Sequence, residues 1–217
     1  MYRIERFSRA ENQIEYAVDF PENYEEGKKY PVMFYLHGYG FAGKGISDLA
    51  QRCPLRRERV PDKYDFILVA PYCADKCWLS HFETLTAFFE HIVGQAYCDK
   101  SRVYLSGSSM GGYTAWDILL VKNELFAAAV ICCGGGQYWA SGIGAYNKVP
   151  LKIIHGAQDR TVLPRESEIM HQTINASGGY AELIIYDDLA HDVWTRTFSD
   201  EGLYGWLADR QRNIEGE

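Results

Sequence analysis

Apolar residues in this chain gather in short continuous runs. VMFYLH (32–37), FILVAP (66–71), RVYLSG (102–107), FAAAVICCGGG (126–136), PLKIIHG (150–156) and AELIIYDD (181–188) are all of strand length. Most end in glycine, proline or acidic residues, which stop a strand. A strand with no polar alternation has no solvated face, so such runs predict strands covered on both sides. IEYAVDF (14–20) behaves differently: Ile14, Tyr16, Val18 and Phe20 alternate with polar or small residues. That pattern predicts a half-buried strand at an antiparallel edge. PENYEEGKKYP reads as a turn bracketed by Pro21, Gly27 and Pro31. Between the runs lie helical patterns. SSMGGYTAWDILLVKN carries helical spacing through Met110, Tyr113, Ala115, Trp116 and Leu119. ESEIMHQTINASGG ends at Gly178, and DEGLYGWLADRQRN (200–213) is an amphipathic terminal helix. Strands alternating with helices predict an α/β fold: a mainly parallel sheet with helices on both faces. In such sheets the chemistry sits beyond the carboxyl ends of the strands.

Composition narrows this only slightly. A length of 217 residues predicts one domain spanning 1–217. A formal charge of −7 argues against nucleic-acid or anionic-membrane partners. No apolar run approaches the ~20 residues of a membrane span. The start, MYRIERFSRAENQ, lacks the apolar stretch of a signal peptide. The expected location is cytoplasmic as written, or exported if a leader was removed. Cys53, Cys73, Cys77, Cys98, Cys132 and Cys133 lack paired C-x-x-C spacing, so no metal site is expected. Cys73 and Cys77 would pair only in an oxidising compartment, and idle or buried thiols are the expectation.

Three glycine-rich signals compete. G38-Y-G-F-A-G43 follows VMFYLH and matches a dinucleotide pattern, but Gly45, Pro54 and Pro61 deny it the following helix. As a phosphate-binding loop the same stretch, ending in Lys44, needs Ser or Thr at 45, where Gly45 stands. G107-S-S-M-G111 is G-x-S-x-G between a strand and a helix, the setting of a nucleophile elbow. Only Ser109 has glycines two before and two after. A plain Gly/Ser loop is the bland alternative.

A serine hydroxyl needs a base and an orienting acid, in the chain order Ser, Asp/Glu, His. Downstream lie His155, His171 and His191. His171 falls mid-helix. His155 closes a strand and should pack beneath the acid loop. His191, in DDLAHDVW after the last strand, is the expected base. Asp159, just beyond PLKIIHG, ranks first as the acid and Asp188 second. The backbone N–H groups of Met110, after the nucleophile, and Tyr39, in the loop after VMFYLH, are the expected oxyanion donors.

Taken together, these motifs resemble those of esterase-type α/β-hydrolases. That group includes carbohydrate esterases such as feruloyl and acetylxylan esterases, phospholipase/carboxylesterases and dienelactone hydrolases. Peptidases with a prolyl-oligopeptidase-like catalytic domain belong to it as well. The likeness runs through PENYEEGKKYPVMFYLHGYG, VAPYCADKCW, DKSRVYLSGSSMGGYTAWDI, FAAAVICCGGG, HGAQDRTV, AHDVW and LYGWLADRQR. Ala190 replaces a glycine common before the histidine. The resemblance implies the α/β-hydrolase fold without a lid domain, with Ser109 as nucleophile, Asp159 as acid and His191 as base. It favours Asp159 over Asp188, since the D-x-x-V loop is where such proteins carry the acid. It also puts Trp78 and Trp194 near the substrate. Tyr138, Trp139 and Tyr146, in the connection 137–149, are expected pocket walls. That connection is too short for a helical lid and predicts an open, shallow site. The implied activity is hydrolysis of carboxylic esters without a cofactor. Expected substrates are small esters or acetyl or feruloyl groups on plant polysaccharide. A serine peptidase on short peptides and a non-catalytic binding protein are the alternatives.

Overall fold

The computed structural model describes residues 2–136 and 140–214. Its centre is one eight-stranded sheet in the order β1-β2-β4-β3-β5-β6-β7-β8. The strands are β1 (Arg3–Arg9), β2 (Asn12–Asp19), β3 (Tyr30–Leu36), β4 (Ile67–Pro71), β5 (Cys98–Ser108), β6 (Ala128–Cys132), β7 (Leu151–Gly156) and β8 (Ala181–Tyr186). From β4 to β8 every neighbouring pair is parallel, while β2 runs antiparallel to both β1 and β4. The alternating segment 14–20 therefore forms an antiparallel strand, as its pattern predicts, but it is not the edge. The polar strand RIERFSR (β1) lies outside it. That sequence is almost wholly exposed and carries no apolar signal from which to read a strand.

The unbroken apolar runs serve two cores. Val32, Phe34 and Leu36 of β3 face one side of the sheet, while Met33 and Tyr35 face the other. Ile67 and Val69 against Leu68 and Ala70, and Val103 and Leu105 against Tyr104, repeat the division. Side chains alternate across a strand, so a strand buried on both faces is apolar at every position.

Helices cover both faces. Helices α2 (Phe82–Val93), α3 (Met110–Lys122) and α5 (Arg165–Ala176) supply Phe88, Phe89, Trp116, Leu119, Met170 and Ile174 to the first core. Phe34, Phe89 and Phe126 meet there edge to face, with centroids 4.7 to 6.4 Å apart. Helices α1 (Ile46–Arg52) and α6 (Glu201–Ala208) cover the opposite face through Leu49, Leu203, Tyr204 and Leu207. Each fully buried aromatic or aliphatic side chain stabilises the fold by about 1.5–3 kcal/mol. α2 is not among the helices expected from the sequence, although Leu85, Phe88, Phe89 and Ile92 carry helical spacing.

Between β6 and β7 lies α4 (Ala140–Tyr146), where the sequence suggested only an aromatic loop. Tyr146 is fully buried and packs against Trp116 at 5.0 Å, so it is a core residue and not a pocket wall. Tyr138 and Trp139 lie outside the described residues. All six cysteines are free, including Cys73, which is buried, and Cys77, which is exposed. Among the described residues no helix is long and apolar enough to cross a membrane.

The first turn of α3 rests directly on the end of β3. A Cβ on Gly111 would come within 2.0 Å of the Leu36 carbonyl oxygen and 2.8 Å of that of His37. Both obstacles are backbone, so relief requires moving a strand or a helix. Gly111→Ala is expected to destabilise the fold by about 2–4 kcal/mol, beyond an ordinary overpacked side chain. A urea titration followed by circular dichroism measures it; an unchanged midpoint would contradict the packing described here.

Candidate active site

The site forms at the carboxyl ends of β3, β5, β6, β7 and the segment after β8. At the end of β5 the chain turns into α3 within one residue, Ser109, whose φ is 54° and ψ −119°. Such a conformation costs of order 1–3 kcal/mol and persists only where the surroundings impose it. Here the Ser109 N–H donates to the Cys132 carbonyl at 2.9 Å, and its carbonyl accepts from Tyr113 N–H at 3.0 Å. The strained turn pushes the Ser109 side chain out beyond the sheet. Ser108 points the other way: it is buried, and its hydroxyl pairs with the Tyr35 hydroxyl at 2.6 Å.

β7 ends at Gly156, and the next turn carries Asp159. The loop after β8 carries His191. The two loops touch: a Cβ on Gly156 would meet the Ala190 carbonyl oxygen at 2.1 Å. His191 Nδ1 lies 2.6 Å from Asp159 Oδ2, and its Nε2 lies 2.9 Å from Ser109 Oγ. A carboxylate only accepts, so Nδ1 carries the proton and Nε2 is free to accept from the serine hydroxyl. Burial alone pushes the Asp159 carboxyl up. The hydrogen bonds from His191 and from the Val162 and Thr161 N–H groups, with the His191 charge, outweigh burial and hold it below the usual carboxylate range. The expected Ser109, Asp159 and His191 thus meet in one hydrogen-bonded chain. Asp188, the second-ranked acid, is exposed and held by Arg196 at 2.6 and 2.8 Å. His171 lies mid-helix on α5.

The two expected backbone donors belong to residues beside Ser109: Met110 follows it in the chain, and Tyr39 lines the same cavity. Met110 opens α3 and Tyr39 opens a single 3₁₀ turn, Tyr39–Phe41, and the first N–H of a helix has no partner within it. Gly38, just before Tyr39, abuts the elbow: its Cβ would stand 3.2 Å from the Ser109 Cβ.

What holds that loop was not read from the sequence. His37 is fully buried. Its Nδ1–H donates to the Gly38 carbonyl at 2.9 Å, and its Nε2 accepts the Cys73 N–H at 3.0 Å. The Trp78 indole N–H donates to the His37 carbonyl at 3.1 Å. Trp78 is 1% exposed, so it lies beneath the HG loop and does not line the substrate site as expected. A buried indole keeps its polar edge only where it finds an acceptor, and the His37 carbonyl supplies it. Trp194 does lie at the site, edge-on to His191 at 5.3 Å. Tyr35, Tyr39, Phe41, Thr161, His191 and Trp194 line a cavity of about 380 Å³ that reaches Ser109.

The comparisons agree with this architecture. A thermostable esterase structure superimposes with a TM-score of 0.84 at 24% identity, covering 97% of this chain and 63% of that one. A dienelactone hydrolase structure from Klebsiella pneumoniae gives 0.69 at 16% identity, covering 96% and 98%. This chain has the α/β-hydrolase fold. An acylaminoacyl peptidase from Pyrococcus horikoshii shares this fold at a TM-score of 0.70 and 15% identity, covering 100% of this chain and 43% of that one. Residues 79–136 match the prolyl oligopeptidase family. A probable feruloyl esterase C from Aspergillus terreus is 25% identical over 162 residues, 73% of this chain. The chain spans 59% of that relative's length.

Burial also depresses His37, to about 4, with the Gly38 hydrogen bond opposing only in part. A histidine neutral in the fold but protonated when unfolded favours unfolding in acid. The stability it contributes is therefore complete above about pH 6.5 and is lost as pH falls toward 4, by about 3 kcal/mol in all. Urea midpoints measured from pH 7 to 4 should fall, and fall less steeply in His37→Gln. Parallel slopes for the two proteins would contradict this.

Proposed function

We propose that this protein is a serine esterase acting on carboxylic esters. The observation that carries the reading is the Ser109–His191–Asp159 chain, with contacts of 2.9 and 2.6 Å, opening into an aromatic-walled cavity. Ser109 Oγ attacks the acyl carbon while His191 Nε2 takes its proton. The imidazolium is steadied by Asp159 and returns the proton to the leaving alkoxide, releasing the alcohol. The N–H groups of Tyr39 and Met110 donate to the oxyanion, each worth about 3–4 kcal/mol in the transition state. Water then attacks the acyl-enzyme by the same route, freeing the acid and restoring the serine. Side chains, backbone N–H groups and water supply every group in this cycle.

The cavity walls speak to the acyl group. Tyr39, Phe41 and Trp194 present aromatic surface beside Ser109, which suits a planar aromatic acyl group such as feruloyl as well as a small acetyl group. The likeness to a probable feruloyl esterase supports the same direction. A peptidase is the second reading, favoured by the match of residues 79–136 to the prolyl oligopeptidase family. Both readings use the same triad and differ in the leaving group.

Ser109→Ala is expected to lower kcat on p-nitrophenyl acetate by about 10⁶, and Asp159→Asn by about 10⁴. Much activity remaining in Ser109→Ala would exclude Ser109 as the nucleophile, whereas a folded wild type that does not react with a fluorophosphonate would leave a non-catalytic binding protein. Aryl esters assayed beside aminoacyl amides separate the two hydrolytic readings; esters should give the higher kcat/KM. Trp194→Ala should raise KM for methyl ferulate by about tenfold and leave that for an acetyl ester little changed. Equal effects on both would remove Trp194 from the acyl pocket.

A further inference from the structure

Asp159 is approached by a second histidine. His155, on the last turn-facing stretch of β7, has a fully buried side chain whose Nε2 lies 3.2 Å from Asp159 Oδ2. That oxygen also receives the His191 Nδ1–H. The same His155 Nε2 stands 2.9 Å from the Val162 carbonyl, and Nδ1 lies 2.7 Å from Ser167 Oγ on α5. Ser167 is itself fully buried.

The protonation pattern follows from the partners. A carbonyl and a carboxylate can only accept, so Nε2 carries the proton and shares it between Val162 and Asp159. Nδ1 is then the acceptor, and the Ser167 hydroxyl donates to it. Ser167, His155 and Asp159 thus form a second chain with the same direction of donation as Ser109, His191 and Asp159. They share the acid and swap the roles of the ring nitrogens. Only the first chain ends on a hydroxyl that reaches the cavity. In the second, every side chain is sealed in the core.

The acid turn is stapled at both ends by this arrangement. The Val162 N–H donates to Asp159 Oδ1 at 3.1 Å while the Val162 carbonyl accepts from His155. Other titratable groups near the carboxylate are Cys133, at the end of β6, whose thiol also donates to the His191 carbonyl at 3.3 Å, and Tyr113 on α3. Burial pushes the Cys133 thiol well up, so it stands there as a neutral group. His155 is the enclosed N–H behind the carboxylate, and His191 is the partly exposed one in front.

We infer that the buried Ser167–His155 pair is the positioning device for the catalytic acid, aiming Asp159 Oδ2 at His191 and keeping the turn 159–162 in place. This rests on the serine-hydrolase reading above. His155 and Ser167 touch no substrate; they act through Asp159. Removing the Nε2–H concentrates charge on the oxygen that faces His191. The imidazolium form of His191 then gains stability, so the base is protonated at a higher pH.

The test compares wild type, His155→Leu, His155→Gln and Ser167→Ala on p-nitrophenyl acetate across pH. Circular dichroism and thermal unfolding establish that each variant is folded. His155→Leu should lose roughly ten- to a hundredfold in kcat with KM within about twofold. The acid limb of its kcat/KM profile should move up by about half a pH unit. His155→Gln, which restores an N–H at the same side, should recover most of kcat and return the limb. Ser167→Ala should lose several-fold, because the ring is then free to carry its proton on the wrong nitrogen. A folded His155→Leu with unchanged kcat and limb overturns the inference. So does an equal loss in the Leu and Gln variants with the limb unmoved, since that marks a role in packing alone. Wild type without turnover overturns the hydrolase reading and this inference together; turnover by wild type with an unaffected His155→Leu overturns the inference alone.

Discussion

The structure turns on one backbone constraint: β5 must become α3 within a single residue, directly against the end of β3. Gly107 and Gly111 pack so closely that a Cβ on the first would stand 2.3 Å from the carbonyl oxygen of the second. Ser109, between them, takes a positive φ that a non-glycine residue adopts only under compulsion. The compulsion is distributed: β6 holds its N–H, and α3 holds its carbonyl. From this follow the projection of the hydroxyl beyond the sheet, the free N–H at the start of α3 and the room for the HG loop to close over the elbow. The cost of the strained turn is met by the two cores beneath it.

Around that turn, burial sets protonation. Asp159 is enclosed yet stays ionised because N–H donors reach both of its oxygens. His37 is enclosed and stays neutral because burial penalises its charged form, and its bond to the Gly38 carbonyl opposes this only in part. The first accepts the His191 Nδ1–H. The second fixes the backbone that presents Tyr39. One buried group keeps its charge because hydrogen bonds outweigh burial, and the other avoids it because burial outweighs its hydrogen bond.

The sequence made the central features legible because they depend on local rules. Strands apolar on both faces, a serine flanked by glycines at a strand-to-helix junction, and the chain order Ser, Asp, His are all short-range patterns. Asp159 over Asp188 became a matter of geometry once Arg196 was seen to hold Asp188. What escaped depends on contacts between distant segments. Trp78 carries no local mark that its indole will pair with the His37 carbonyl. Tyr146 looks like loop aromatic until α4 folds it onto Trp116. β1 is a strand because β2 offers an edge, not because RIERFSR has a β pattern. His155 was placed beneath the acid loop by its position at the end of a strand, but its bond to Ser167 on α5 was visible only in three dimensions.

The central claim is that Ser109 is activated by His191 and Asp159. Its most direct test is active-site titration with a fluorophosphonate, followed by mass spectrometry of the labelled peptide. The account predicts one equivalent of adduct on Ser109 and much slower labelling in His191→Ala. Adduct on Ser108, or no adduct in the folded wild-type protein, would contradict it.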